Sequence, residues 1–509
     1  MDGVPRAKDG MDHGSTRRQL LTRSAGAVAA LALPPDLLNA LLDRPTAALG
    51  LLGQRLRGRL LTPSDAGWPA AKALYNPRLN VEPRLIALCE KPQDVSDVVV
   101  YARQNGLPLA ARGGRHSFAG YSNAAGGIVA DVSSMRSITY DPAGATALVG
   151  AGANVLDVYR ELVLARGVEF PVGTCPTVGI AGLTLGGGFG RTMRRAGITA
   201  DSLREATVVL ADGRVVVCNA TSQPELFWAL RGGGAGMGVV LSMRFAVAPV
   251  AAPIRFSITY QWPQAAAAID AWQRSMPQAS KDLGFGRFRA IRFPDGQLSA
   301  IASGHWYGSQ AALGVLLAPL LAAGPISANI RPVTAQVAAA PDRTTRNPDG
   351  TVTAVVLHDP NYQRSDFVDA LLPPAAIAAL VAQVERWPGG GPTAHEGGVQ
   401  LDALGGAVND AALDATSFVH RRSLFHIAYL SFWGNGDSAA IAAADTQWVR
   451  DIHGAMAPYA SGAAYQNYID PELVGWEKAY YGQNLGRLRL AKRRYDPRNA
   501  FAFAQGVAP

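Results

Sequence analysis

The chain has 509 residues, 48% of them hydrophobic, and a formal net charge of +8; that length predicts two or three domains, and that much apolar material excludes general disorder. The charge comes from 41 arginines against 6 lysines, clustered only at the N-terminus and in Arg487–Arg498 with no interleaved aromatics, which excludes a nucleic-acid partner. Three cysteines (Cys89, Cys175, Cys218) exclude a disulfide scaffold, and eight histidines without HxxxH or CxxC spacing give no reason to expect a metal.

In chain order, Thr16-Arg17-Arg18-Gln19-Leu20-Leu21 precedes a weakly apolar run, Ala25–Leu33. The run is too short to span a bilayer, so stable membrane insertion is not expected. Paired arginines ahead of it resemble a twin-arginine export signal, which predicts a periplasmic or extracellular protein. Residues 36–75 read as a spacer. Leu85–Leu88 is strand-like, Val95–Asn105 has apolar residues at helical spacing and stops at Gly106, and Leu107–Ala111 is a second strand running into Arg112-Gly113-Gly114-Arg115-His116-Ser117. A glycine loop at a strand's end is where α/β units bind ligands. Ile128–Val132, Ala147–Val149 and a helix over Val155–Arg166 follow.

The stretch Pro171–Gly190, PVGTCPTVGIAGLTLGGGFG, holds seven glycines, one cysteine and no charge. Glycine at that density suits backbone that must come close to something flat or anionic, and the stretch reads as a cofactor loop. Val208–Leu210 and Val215–Val217 flank Asp212-Gly213 as a hairpin. A helix with Leu226-Phe227-Trp228, then Gly232-Gly233-Gly234, leads to a strand ending at Phe245. Beyond Pro249–Pro253, alternating segments (Phe256–Tyr260, Phe285–Ile291) and alanine-rich helices, one starting at Pro374, predict a second, α+β domain with an antiparallel sheet. Pro341–Gly350 and Trp387–Gly398 read as surface loops. Cys89 and Cys218, in apolar runs, read as buried side chains. No GxGxxG opens the first unit and no P-loop lysine is present, so a Rossmann dehydrogenase is disfavoured.

Four separated segments carry a resemblance: RGGRHSFAGYS (Arg112–Ser122), GTCPTVGIAGLTLGGGFG (Gly173–Gly190), ELFWALRGGG (Glu225–Gly234) and YQNYID…YYGQN…YDPRNAF near the C-terminus. Together they resemble the berberine-bridge-enzyme-like flavin oxidases of the vanillyl-alcohol-oxidase fold group. The resemblance implies an α+β fold: a two-subdomain PCMH-type FAD-binding domain (76–250), a substrate-binding domain (251–458) and a segment (459–509) returning to the FAD domain. It implies FAD held covalently at two points, His116 on the 8α-methyl and Cys175 on C6, an arrangement suited to a compartment where lost FAD is not replaced. Arg112, Gly113, Gly114, Arg115 and Ser117 would cradle the pyrophosphate, with Gly179, Gly182, Gly186, Gly187, Gly188 and Gly190 around the cofactor and Asn484 reaching its ring. Arg115 departs from the family's glycine and is expected to push the loop outward. Gly236-Met237-Gly238 departs from its Asn-Phe-Gly. Val178 matches the oxygen gatekeeper, where a small residue goes with oxidases.

Tyr468 matches the family's catalytic tyrosine. A phenol with a free pKa of about 10 needs a cationic neighbour to act as a base near neutrality. Tyr429 is the candidate second phenol, with His426 on the opposite face. The implied reaction is oxidation of a hydroxyl, with dioxygen as acceptor giving hydrogen peroxide, in a monomer or dimer. The substrate is a small molecule, either a sugar oxidised at its anomeric carbon or a secondary metabolite, and apolar pocket strands lean to the second. The alternatives are a same-fold dehydrogenase with a quinone or protein acceptor, and a flavin-bearing binding protein.

Overall fold

The computed structural model describes residues 44–509 apart from 357 and 392; the twin-arginine-like segment lies outside the described residues. The first sheet has the order Arg59–Leu61, Leu85–Leu88, Ile128–Asp131, Leu109–Arg112. Its last three strands are parallel and the first is an antiparallel edge. Helix Pro92–Gln104 makes the crossover and buries Val95, Val98, Val99 and Ala102, the spacing that marks one helical face. Part of the stretch read as a spacer belongs to this sheet. Arg59–Leu61 is its edge strand, and Trp68 packs with Leu61, Ile86 and Val129. Three residues are too few to show a strand period, and the pairing partner lies well downstream.

The second sheet is antiparallel throughout, in the order Ile138–Asp141, Thr146–Gly150, Val239–Ala246, Leu203–Val209, Val215–Asn219. The Asp212-Gly213 turn closes the last pair, with Gly213 at φ +89°, where glycine carries no steric penalty.

The third sheet has seven antiparallel strands: Ser327–Pro332, Ile254–Tyr260, Leu298–Trp306, Leu283–Arg292, Glu396–Ala403, Phe425–Phe432, Asn361–Val368. Helices Ala265–Ser275, Gln310–Ala322, Pro374–Glu385 and Ala439–Met456 contribute to one core with Phe256, Phe288, Val399 and Ile427 of the strands. The other face carries the polar row Ser257, Ser303, Arg287 and Asp402, and at its Phe367 end it is covered by a second apolar cluster with Phe418 and Tyr465. Trp387 is not on a surface loop. It is 1% exposed and its Nε1 donates to Ser431 Oγ at 2.8 Å.

Helices Trp476–Tyr481 and Leu485–Tyr495 pack beside the first half of the chain. Arg487 pairs with Glu225 at 2.8 Å, and buried Lys492 donates to Gly236 O at 2.7 Å and Asp496 Oδ2 at 2.6 Å. The mixture is α+β, and the helix-backed sheet presents its bare face toward the glycine loops.

Candidate active site

Residues 113–117 leave the C-terminal end of strand Leu109–Arg112. Among the described residues none of their N–H groups donates a hydrogen bond, and unpartnered amides at a strand's end are the kind of donors that bind an anion. Gly114 is fixed by close approach, since a Cβ there would lie 2.2 Å from Gly179 N. The two glycine loops therefore touch backbone to backbone.

That contact brings His116 and Cys175 to one residue that the sequence reading missed. Thr177 Oγ1 is 2.8 Å from His116 Nε2 and 3.9 Å from Cys175 Sγ. Tyr75 stacks on the His116 ring at 3.8 Å. Burial, with His358 nearby, lowers the His116 pKa to about 3 and keeps the ring neutral. Burial also pushes the Cys175 thiol up, against the Thr177 N–H and hydroxyl and the Val178 N–H, which favour its thiolate. Val178 donates its N–H to Cys175 O at 3.3 Å. Cys89 and Cys218 are fully buried elsewhere, with thiols raised by burial.

Arg115 does not push the loop outward. It takes φ +65°, at a cost of about 1 kcal/mol for a residue with a Cβ. Its guanidinium turns back to Ala70 O at 2.9 Å and Asp131 Oδ2 at 3.2 Å. The Arg112 side chain is not a cofactor ligand either. It is buried, donating to Asp131 Oδ2 at 2.9 and 2.6 Å and to Asn123 Oδ1 at 2.6 Å. Ser117 Oγ accepts from Tyr121 N at 3.0 Å and closes a turn. Because both Arg112 and Asp131 are fully buried, Asp131→Ala is expected to cost about 3–5 kcal/mol by stranding a charge. Urea unfolding of the holoprotein measures it, and a loss under about 1 kcal/mol would mean the pair does not hold the loop.

The glycines after Cys175 divide between two jobs. Gly179 backs onto Gly114, and the missing side chain of Gly182 faces open space. Gly186 and Gly188, expected around the cofactor, seat the C-terminal segment. A Cβ on Gly186 would lie 2.1 Å from Asn467 Oδ1. Gly186 N and Gly187 N bond back to Gly182 O and Thr184 O, and Gly188 N donates to Tyr465 Oη at 2.9 Å. Gly190 packs on the backbone of Val172. Asn467 Nδ2 donates to Leu183 O at 2.9 Å, and Phe189 stacks on Tyr465 at 4.2 Å. These contacts present Tyr468, next in the short 3₁₀ turn Gln466–Tyr468.

The Tyr468 ring stands edge-on to Phe118 at 5.8 Å and beside Tyr465 and His426. Its hydroxyl has no hydrogen-bond partner among the described residues. Its pKa is pushed up to about 12, mainly by burial and then by Asp402, while Arg287 pulls it down. The expected second phenol, Tyr429, and Asn484, expected at the flavin ring, are both engaged elsewhere. Tyr429 lies on the helix-covered face in the main core and donates to Asp366 Oδ2 at 2.9 Å. Asn484 is 4% exposed and its amide holds Leu413 O at 2.8 Å and Thr416 O at 3.2 Å. His426 takes the place beside Tyr468 instead, fully buried with neither ring nitrogen bonded.

The open sheet face continues away from Tyr468 into a cleft of about 730 Å³. One register row runs Ser257, Ser303, Arg287, Asp402, His426. The lining is mixed: Arg255, Arg289, His305 and Thr334 stand beside Phe285, Ile301, Val337 and Val352, so the expectation of mostly apolar pocket strands does not hold. Other apolar members of the same strands, Phe256, Phe288 and Ala302, face the helices. Pro341–Arg346, expected to be a plain surface loop, forms part of the rim: Asp342 N donates to Thr174 O at 2.7 Å, next to Cys175.

Two family models match the chain: FAD binding domain over residues 83–219 and berberine and berberine like over 464–508. The FAD-linked oxidoreductase YgaK of Bacillus subtilis is 32% identical, over 89% of this chain and 98% of that protein. A chitooligosaccharide oxidase of Gibberella zeae is 30% identical, over 88% and 92%. Among solved structures, BBE-like 1 of Physcomitrella patens superposes with a TM-score of 0.79 at 28% identity, covering 90% of this chain and 98% of that one.

Proposed function

This chain belongs to the berberine bridge enzyme-like family of FAD-linked oxidoreductases, and from that premise we propose an exported oxidase that takes a sugar as substrate. The hydroxyl oxidised is that on the anomeric carbon of an oligosaccharide, and dioxygen is the terminal acceptor. The observation that carries this reading is the unpartnered Tyr468 hydroxyl, whose pKa Arg287 of the cleft lowers, together with the His116–Thr177–Cys175 group, which the Asp342–Thr174 contact ties to the cleft rim.

The residues present fit FAD. The free amides of 113–117 suit its pyrophosphate. His116 Nδ1 and Cys175 Sγ, on two sides of Thr177, are the two atoms that would hold the ring covalently. Bound FAD supplies the hydride acceptor, and reoxidation in air yields hydrogen peroxide. The chain supplies the rest. Tyr468 Oη takes the substrate hydroxyl proton, helped by the positive charge of Arg287. Tyr75 covers His116 and excludes water from it. Ser257 and Ser303 line the cleft and offer hydroxyls to a polyol. The relative described as a chitooligosaccharide oxidase supports the sugar class, and valine at position 178 supports the oxygen acceptor.

The test is oxygen reactivity. Photoreduced enzyme mixed with air is expected to regain its oxidised spectrum within seconds and release one peroxide per flavin. Enzyme that stays reduced for minutes would exclude the oxidase reading and leave a dehydrogenase.

A further inference from the structure

Resting on the sugar-oxidising reading above, we infer that the substrate is an acidic oligosaccharide, one bearing carboxylates on rings beyond the ring oxidised. Six arginines line the cleft: Arg191, Arg255, Arg287, Arg289, Arg343 and Arg346, against Asp342 as the one lining acid. Three of them are already paired, Arg191 with Asp342, Arg287 with Asp402 at 2.7 Å and Arg289 with Glu396. Arg255, Arg343 and Arg346 have no side-chain hydrogen bond or ion pair among the described residues. A guanidinium left unmatched in a concave site is a ready bidentate partner for a carboxylate. His305 adds an imidazole whose Nδ1 is buried and unpartnered, directly across from Arg255 in the strand register.

The placement sets the length of the ligand. His426, beside Tyr468, is two strands from Arg287 and four from Arg255. At ~4.8 Å per strand these are roughly 10 and 19 Å from the reacting end. A single sugar ring at Tyr468 does not reach Arg255; an oligosaccharide does. Neutral sugars leave three unpaired cations facing them, whereas a uronic-acid chain neutralises them.

The experiment is calorimetric titration of the oxidised holoenzyme with trigalacturonate and with neutral galactotriose, at low and high salt. Trigalacturonate is expected to bind about tenfold tighter or better, the sum of several partly exposed pairs, with the margin shrinking in high salt. Arg255→Gln and Arg343→Gln are each expected to weaken trigalacturonate binding by about three- to fivefold. Neither side chain holds the fold, so melting temperatures serve as a check on folding. Equal affinity for the two probes, or trigalacturonate binding indifferent to both substitutions, overturns the inference. Turnover is read separately. Preferential acidic binding without flavin reduction counts against the oxidase reading alone. Turnover of neutral sugars with no binding preference counts against the acidic substrate alone.

Discussion

Replacing Tyr468 with phenylalanine is expected to lower kcat by roughly 10²- to 10⁴-fold, the usual range for removing a positioned general base. The reason for expecting a clean effect is structural. The ring's contacts with Phe118, Tyr465 and His426 are aromatic and survive the change, and no hydrogen bond to the hydroxyl exists to be broken. Single-turnover reduction of the flavin by substrate measures the step. A loss below about tenfold would remove Tyr468 as the base and move attention to His426.

The pH dependence carries a sign that tests the same assignment. The active form is the phenolate, and a pKa pushed up to about 12 makes that form scarce at neutral pH, so kcat/KM is expected to climb through the alkaline range. Asp402 raises the tyrosine and Arg287 lowers it. Asp402→Asn therefore moves the rising limb to lower pH, and Arg287→Gln moves it higher. Profiles in which both variants keep the parental limb would disconnect Tyr468 from the rate.

What is legible in the chain alone follows from short-range rules. Two glycine loops, one with a histidine and one with a cysteine, mark backbone that approaches a ligand, and the structure brings their side chains to a common threonine. Thr177 itself carried no signal, because its role exists only once the two loops touch. The strand Phe425–Phe432 shows why the second phenol was misplaced. Its odd and even positions both hold apolar residues (Phe425, Ile427 and Tyr429 against Ala428, Leu430 and Phe432), so alternation did not say which set faces the helices. A choice of parity then moves every side chain, and Tyr429 and His426 exchanged places. Arg287 and Arg289, by contrast, alternate with Phe288 and Ala290. That pattern is legible as one polar and one apolar face, but alternation alone does not say which of the two lines the pocket. Asn484 is a long-range case: the carbonyls it holds are about seventy residues away in sequence, and no local pattern announces them.

Wild-type protein precipitated with acid is expected to carry its yellow colour into the pellet. Cys175→Ala and His116→Ala are each expected to do the same through the bond that remains, and the double variant to release all its FAD to the supernatant. The two proposed bonds would also differ in how pH controls their formation. His116 has a pKa lowered to about 3 by burial, so the ring is neutral and its balance of tautomers does not change with pH from 6 to 9. Cys175 reacts as the thiolate, and burial raises its pKa, so its reactive form is a minority that grows as pH rises. FAD-free Cys175→Ala given FAD in air should therefore form its bond at a rate that is flat from pH 6 to 9. His116→Ala should form its bond faster as pH rises, by about tenfold per pH unit while the thiol is mostly protonated. A colourless wild-type pellet would dispose of covalent attachment altogether. A flat profile in His116→Ala would show that Cys175 is already ionised in the folded protein, with the Thr177 and Val178 N–H groups outweighing its burial.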